Sequence, residues 1–385
     1  MLTGTHRNPR QEEVIYGRPA ADVVVETAEA HGAVRIMIVT SRSLEASSSV
    51  ARVKDALGER CVGVFAKVRA HSPREDVVEG AERARELASD LLVAVGGGSV
   101  IDASKAMELC LWAGVRRPEE LDGYRAGAGT ASLEPTIRVV AVPTTLSAAE
   151  FTPFAGVTDV GRHVKEGFYH RELAPRTVVL DPAMTLGTPP ELWSSTGMKA
   201  VDHAVEQLSN AERSPFADAL AEAGLSRLAG ALRKSRRSPD DLAARLDCQL
   251  GMWLAMSGAS AGRGLGASHA IGHTLGGMLG VPHGMTSAVM LPAVLKWNEA
   301  VLGERGRLIS RLVGDETASA AQAVKRLCLD LGLPTSLAEV GVGAEKFRSI
   351  AEHTLHDRGI RTNPRPIRGA GDIEEILALA ADSAD

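Results

Sequence analysis

Apolar residues follow one rhythm in the first half of the chain and another in the second. Short unbroken apolar runs at 35–41 (RIMIVTS) and in CVGVFAKV predict buried strands. Between and after them, 44–57 and EDVVEGAERARELAS carry the 3.6-residue period of amphipathic helices. DLLVAVGGGSVIDASKAM reads as strand, glycine turn, helix, and IRVVAVPTT and RTVVLDP as further strands. Alternating β and α elements predict an α/β domain with a parallel, Rossmann-like sheet covered on both faces. After Asp181 the period is helical almost to the end, at 214–234, 240–257 and 318–331 and in the histidine-rich segment after Gly264. The expected organisation is therefore a dinucleotide-binding α/β domain, 1–182, and an all-α domain, 183–385. The active site is expected in the cleft between them. STGMKAVDHAVE (195–206) reads as a helix start, capped by Ser195 or Thr196, with Met198, Val201 and Val205 as its apolar stripe.

Composition narrows the class. With 385 residues the chain is long enough for two buried cores. No apolar run reaches the roughly 18 residues a bilayer requires, and MLTGTHRNPRQEEV lacks the apolar segment of a secretory signal. The expected location is the cytoplasm, with no membrane partner. A net charge of −5 with both signs interspersed excludes the basic face of a nucleic-acid binder. The one basic cluster, RKSRRSPDD at 233–241, reads as a solvated loop between helices. Four scattered cysteines without a CxxC pair read as reduced, buried thiols.

Two turns suit phosphate. Gly96, Gly97, Gly98 and Ser99 stand between a buried strand and a helix start, where backbone N–H groups and the helix dipole favour an anion. The sequence is not GxGxxG, so the standard dinucleotide fingerprint does not apply. Thr144, Thr145 and Ser147 follow another strand, at the end where α/β sheets bind ligands. The first strand ends in Thr40, Ser41, Arg42 and Ser43, without the acidic residue that commonly holds a ribose; Ser41 and Arg42 suit a 2′-phosphate, so NADPH is permitted beside NADH.

Chemistry concentrates in GLGASHAIGHTLGGMLGVPHG. His269 and His273 are spaced i, i+4 on one helix face, and His283, after a Val-Pro break, can fold back toward them. The glycines weaken this helix by about 1 kcal/mol each, which points to close contact with another helix or a cofactor. Upstream, Lys199 lies one turn before His203. A carboxylate there would be half of a metal site; an ammonium repels a divalent ion.

These stretches resemble the iron-containing (group III) alcohol dehydrogenases. That family shares its fold with dehydroquinate synthase and includes the maleylacetate reductases. The resemblance rests on GGGSVIDASKA, VPTTLSAAEFTPFAGVTD, LDPAMTLGTPPELWSSTGMKAVDHAVE and HAIGHTLGGMLGVPHGMTSAVMLP, in the family's order across 35–295. FTPFAGVTD with ELAPRTVVLDP is most similar to the maleylacetate reductase branch. The resemblance implies NAD(P) binding by Gly96, Gly97, Gly98, Ser99, Thr144, Thr145 and Lys165. Phe154 is a candidate substrate contact, and Arg263, a cation like Lys199, is expected to draw in a dicarboxylate. It also implies a homodimer. In metal-dependent relatives Fe²⁺ or Zn²⁺ is held by an aspartate and three histidines. The histidines fall on His203, His269 and His283, His273 matches a further one near the nicotinamide, and the aspartate position is Lys199.

The expected function is a metal-independent NAD(P)H-dependent reductase acting on an electron-poor oxoacid such as maleylacetate. Lys199 stabilises the substrate oxygen and a histidine supplies the proton. The alternatives are an Fe- or Zn-dependent alcohol dehydrogenase or aldehyde reductase on the same scaffold, and a dehydroquinate synthase-like lyase.

Overall fold

The computed structural model describes residues 8–126, 130, 132–162, 164–212, 214–262 and 264–381. The chain divides into two compact units, Asn8–Thr188 and one formed from Pro189 onward.

In the first unit the elements run β1 (Glu13–Tyr16), α1 (Ala20–Ala30), β2 (Ile36–Val39), α2 (Ser48–Leu57), β3 (Cys61–Phe65), α3 (Arg74–Glu86), β4 (Leu91–Gly96), α4 (Gly98–Ala113), β5 (Val139–Pro143), β6 (Phe154–Asp159), β7 (Val164–Tyr169) and β8 (Thr177–Leu180). Six of the strands form a parallel sheet in the order β1-β8-β5-β4-β2-β3. β2, β4 and β5 are buried along their whole length. That is why they read as unbroken apolar runs: helices cover both faces of a parallel sheet. α2 begins four residues later than its periodicity predicts, because the Ser47 hydroxyl accepts the Val50 N–H and stops the helix there.

Two features go beyond the sequence reading. β1 is a half-exposed edge strand, paired to β8 from Val14 to Val178 across the length of the unit. β6 and β7 form an antiparallel hairpin in which Phe154 faces Tyr169 and Thr158 faces Lys165. Buried cations tie the hairpin down. The Arg74 guanidinium meets Asp122 at 2.6 Å, Asp159 at 3.6 Å and Glu166 of β7. The fully buried Lys105 ammonium donates to the carbonyls of Ala149 (2.8 Å), Thr152 (3.2 Å) and Phe154.

The second unit is helical: α5 (Pro190–Ser209), α6 (Pro215–Arg237), α7 (Leu242–Ala261), α8 (Ala267–Leu279), α9 (His283–Leu302), α10 (Glu304–Val313), α11 (Ala320–Asp330), α12 (Phe347–Thr354) and α13 (Ala370–Leu379) among the described residues. α5 starts at Pro190, whose fixed φ and missing N–H suit the first helical position. Ser195 and Thr196 are therefore inside the helix rather than its cap, and their hydroxyls donate back to the Leu192 carbonyl. Of the basic cluster at 233–241, the residues up to Arg237 are the end of α6 rather than loop, and 238–241 form the connection to α7. There Arg233 pairs with Asp330 at 2.7 Å and Lys234 with Asp241 at 2.9 Å, and their charges complement the helix C-terminus.

Glycines let α5, α8 and α9 come together. A Cβ on Gly272 would lie 2.8 Å from Thr286 Oγ1, and one on Gly284 would lie 2.5 Å from the Ser195 carbonyl. The glycine cost noted in the sequence is thus the condition for helix contact. No helix among the described residues is long and apolar enough to cross a membrane.

Candidate active site

In the first unit the two phosphate-suited turns lie side by side, because β4 and β5 are adjacent and parallel. Gly96 ends β4 and Gly97 precedes the first residue of α4. A Cβ on Gly97 would meet Thr145 Cγ2 at 3.0 Å, and one on Gly98 would meet Ser147 Oγ at 2.8 Å. A Cβ at either position would have to push these side chains aside. The Thr144 N–H donates to the Gly96 carbonyl at 3.0 Å, and the Thr188 hydroxyl donates to the Thr144 carbonyl at 2.7 Å. Ser99 lies in the first turn of α4.

Lys165 reaches across the hairpin, its stem lying over Gly156 of β6. The Gly156 N–H donates to Asp102 Oδ2 at 3.2 Å, so Asp102 of α4 stands beside the lysine's path. Ser41 follows β2, with its hydroxyl 3.0 Å from that of Ser43. Phe154 is half exposed, and its ring leans on Tyr169 with centroids 4.8 Å apart. The structure thus gives that ring an aromatic neighbour on the hairpin. Arg263 lies outside the described residues.

In the second unit α5, α8 and α9 bring Lys199, His203, His269, His273 and His283 together. The ring centroids of His203 and His269 are 4.9 Å apart and nearly parallel, at 18°. His283, the first residue of α9, lies 5.5 Å from His269 and 5.4 Å from His273. The rings form a chain from the buried His203 and His269 out to the exposed His273.

Carboxylates that the sequence reading did not assign to the site hold this chain in place. Glu206 Oε2 is 2.8 Å from His269 Nδ1, and the same carboxylate accepts the N–H groups of Gly266 and Ser268, both at 2.7 Å. Asp202 accepts the Ser268 hydroxyl at 2.9 Å and lies 3.4 Å from His269 Nδ1. Asp357 bonds His273 Nδ1 at 2.8 Å. In the sequence Asp202 and Glu206 are one turn apart beside His203. That spacing was the available signal; nothing local links Asp357 to His273.

Burial governs the protonation states. It pushes Asp202 and Glu206 up to about 7, although the surrounding donors work against it. It pulls His269 down to about 4 and His203 well below the ordinary imidazole value, and the Lys199 charge acts in the same direction on both. The two inner histidines are therefore neutral at pH 7. Asp357 is lowered, mainly by its bond to His273.

Sequence comparison agrees with the fold. Residues 11–182 match the model for iron-containing alcohol dehydrogenases, and residues 194–381 match the C-terminal model of the same family. The chain belongs to the iron-containing alcohol dehydrogenase family and is an oxidoreductase. It is 33% identical over 360 residues to a maleylacetate reductase of Burkholderia cepacia, covering 93% of this chain and 92% of that one. It is 30% identical over 380 residues to a lactaldehyde reductase of Escherichia coli, covering 96% and 97%. Among solved structures, the maleylacetate reductase of Agrobacterium tumefaciens superimposes with a TM-score of 0.84 at 28% identity, covering 99% of both chains.

Proposed function

We propose that this enzyme reduces an electron-poor oxoacid, of which maleylacetate is the type, with NADH or NADPH, and that a protein cation does the electrostatic work a metal ion does in relatives. The carrying observation is Lys199 on α5, one turn from His203 and close enough for its charge to add to the burial that keeps both inner histidines neutral.

The donor set suits an ion held by the three histidines poorly. Ligand nitrogens converge on an ion with their lone pairs, whereas the His203 and His269 rings lie nearly face to face. Among the described residues, the group whose potential ligand atoms lie within 4.8 Å of one another is Asp202, Glu206 and His269, not the three histidines. In that group Glu206 is already occupied by two backbone N–H groups.

The turns at Gly96–Ser99 and Thr144–Thr145, with Lys165, would hold the dinucleotide. The reduced nicotinamide would supply a hydride from its C4, which would form a C–H bond at the substrate's conjugated C=C carbon. The electron pair of that double bond moves toward the ketone oxygen as an enolate. The Lys199 ammonium stabilises the charge. A histidine then protonates the adjacent carbon, giving 3-oxoadipate and NAD(P)⁺. His269 suits the proton step: its Nε2 has no hydrogen-bond partner among the described residues, while Nδ1 faces Glu206. A proton leaving Nε2 is replaced through Nδ1 from the Glu206 carboxyl, which burial keeps protonatable near neutrality.

One observation favours a second reading, an Fe- or Zn-dependent alcohol dehydrogenase or aldehyde reductase. An imidazole with Nδ1 tied to a carboxylate and Nε2 unpartnered is also how ligand histidines are oriented. One experiment separates the two: elemental analysis of the purified enzyme, with NADH and NADPH oxidation measured on maleylacetate and on lactaldehyde, before and after chelation. Metal-independent turnover of the oxoacid is expected. Aldehyde reduction abolished by chelation and restored by zinc or ferrous ion would replace this reading with the second. A dehydroquinate synthase-like lyase would show no net cofactor oxidation at all.

A further inference from the structure

The loop between β3 and α3 contains an uncommon backbone. His71 and Ser72 are consecutive and both left-handed, at φ 64° and 51°. Non-glycine residues rarely enter this region, and two in succession persist only where surrounding bonds over-determine them. The bonds are present. The His71 N–H donates to Ser99 Oγ at 3.0 Å, and the buried Ser72 hydroxyl donates to the Ser99 carbonyl at 2.8 Å. From the other side, the Thr158 hydroxyl of β6 donates to the His71 carbonyl at 2.8 Å, and the Thr158 N–H donates to the Ser72 carbonyl at 3.1 Å. The kink is thus clamped between the hairpin and the first turn of α4.

We infer that the His71–Ser72 kink is a positioning device that aims the Ser99 hydroxyl at the pyrophosphate of the dinucleotide. This rests on the cofactor reading given above. A serine hydroxyl has one hydrogen and two acceptor sites. The His71 N–H occupies an acceptor site of Ser99 Oγ, so the hydroxyl's own hydrogen is directed away from the loop. Ser72, bonded to the carbonyl of the same residue, fixes the backbone from which that hydroxyl projects. Ser99 itself is only partly buried, beside Gly97 and Gly98, where the helix N-terminus favours an anion. Backbone groups and the Ser72 hydroxyl carry the device, and the imidazole does not. Burial and the nearby Lys165 charge keep His71 below the ordinary imidazole range, so it brings no cation to the phosphate.

The test is NADH binding by the full-length enzyme, read by fluorescence titration, with kcat measured at saturating cofactor. Ser72→Ala and Ser99→Ala are each expected to raise the NADH Kd roughly three- to tenfold, with kcat of Ser72→Ala at saturating cofactor changed less than twofold. The double variant is expected to match Ser99→Ala alone, because Ser72 acts through the Ser99 hydroxyl. His71→Gly keeps the N–H and enters the left-handed region freely, so its Kd is expected within twofold of the parent. Thr158→Val releases the clamp from the hairpin side and carries the test if Ser72→Ala fails to fold. A Kd unchanged in Ser72→Ala and Thr158→Val, additive losses in the double variant, or a large loss in His71→Gly overturns the inference. A parent enzyme that binds neither NADH nor NADPH overturns the cofactor reading and this inference with it.

Discussion

Glu206 Oε2 lies 2.8 Å from Nδ1 of His269, with both groups almost wholly buried. The bond fixes the orientation of the imidazole and leaves Nε2, which has no hydrogen-bond partner among the described residues, as the ring's uncommitted nitrogen. It also couples the proton on that atom to a carboxyl that titrates near neutrality.

Glu206→Gln should therefore lower kcat by about 10- to 100-fold, the usual effect of losing a group that orients a functional histidine. The amide keeps a hydrogen bond to the ring but cannot resupply a proton. Steady-state kinetics across pH 6–9 check this: the limb near pH 7 should disappear in the variant. An unaltered profile would separate Glu206 from the proton step.

Lys199→Met should reduce kcat by about 10²- to 10³-fold, the scale seen when a donor to a developing oxyanion is removed. Thermal melts should change little, since Lys199 is only partly buried. Turnover equal to the parent's would remove the ammonium from the mechanism.

Lys199→Asp recreates the aspartate four residues before His203 that metal-dependent relatives carry. With the repelling charge gone and a carboxylate in its place, a divalent ion can be held once the His203 and His269 rings turn out of their face-to-face stacking and aim their lone pairs at it. Elemental analysis after zinc loading should show near-stoichiometric metal in the variant and little in the parent. Equal loading of both would mean that Lys199 does not exclude the ion.

Stability should depend on pH through opposing groups. Asp202 and Glu206, raised to about 7, make the folded state bind more protons than the unfolded one between about pH 4.5 and 7, so their contribution is lost as pH rises through that window. His269, lowered to about 4, acts oppositely: the unfolded chain takes the proton first, so its contribution is lost as pH falls below about 6.5. His203, lowered as well, adds to the second effect. Across the shared window the two nearly cancel. Asp202→Asn removes one opposing proton, and the variant's stability should then rise with pH between 5 and 6.5 by up to about 1.4 kcal/mol per unit more than the parent's. Urea midpoints at three pH values measure the difference.

Gly284→Ala should destabilise the fold by about 1–3 kcal/mol, because the added methyl meets the Ser195 carbonyl of α5 rather than a movable side chain. Thermal unfolding tests it. An unchanged melt would mean that α9 and α5 can separate at low cost, and that the position of His283 relative to Lys199 is not fixed there.

Local patterns determined much of this protein. The buried strands β2, β4 and β5 are legible because apolar side chains on both faces leave no alternation to confuse. The turns after β4 and β5 are legible as turns because glycine and small hydroxyls there follow a buried apolar strand. Lys199 with His203, and His269 with His273, are visible as pairs because a spacing of four residues puts side chains on one helix face; His283 stands out only by its nearness in the chain. Tertiary structure decided the rest. β1 and the β6–β7 hairpin are short and half-exposed, so their existence depends on partners: β1 on a strand more than a hundred residues away, the hairpin on the buried cations Arg74 and Lys105. Asp357 reaches His273, and the Ser72 hydroxyl reaches Ser99, across separations that leave no periodic trace. Protonation was decided there too, because a carboxyl's titration depends on how much water surrounds it. The letters Asp202 and Glu206 say nothing about water; the packing of α5 against α8 and α9 removes it.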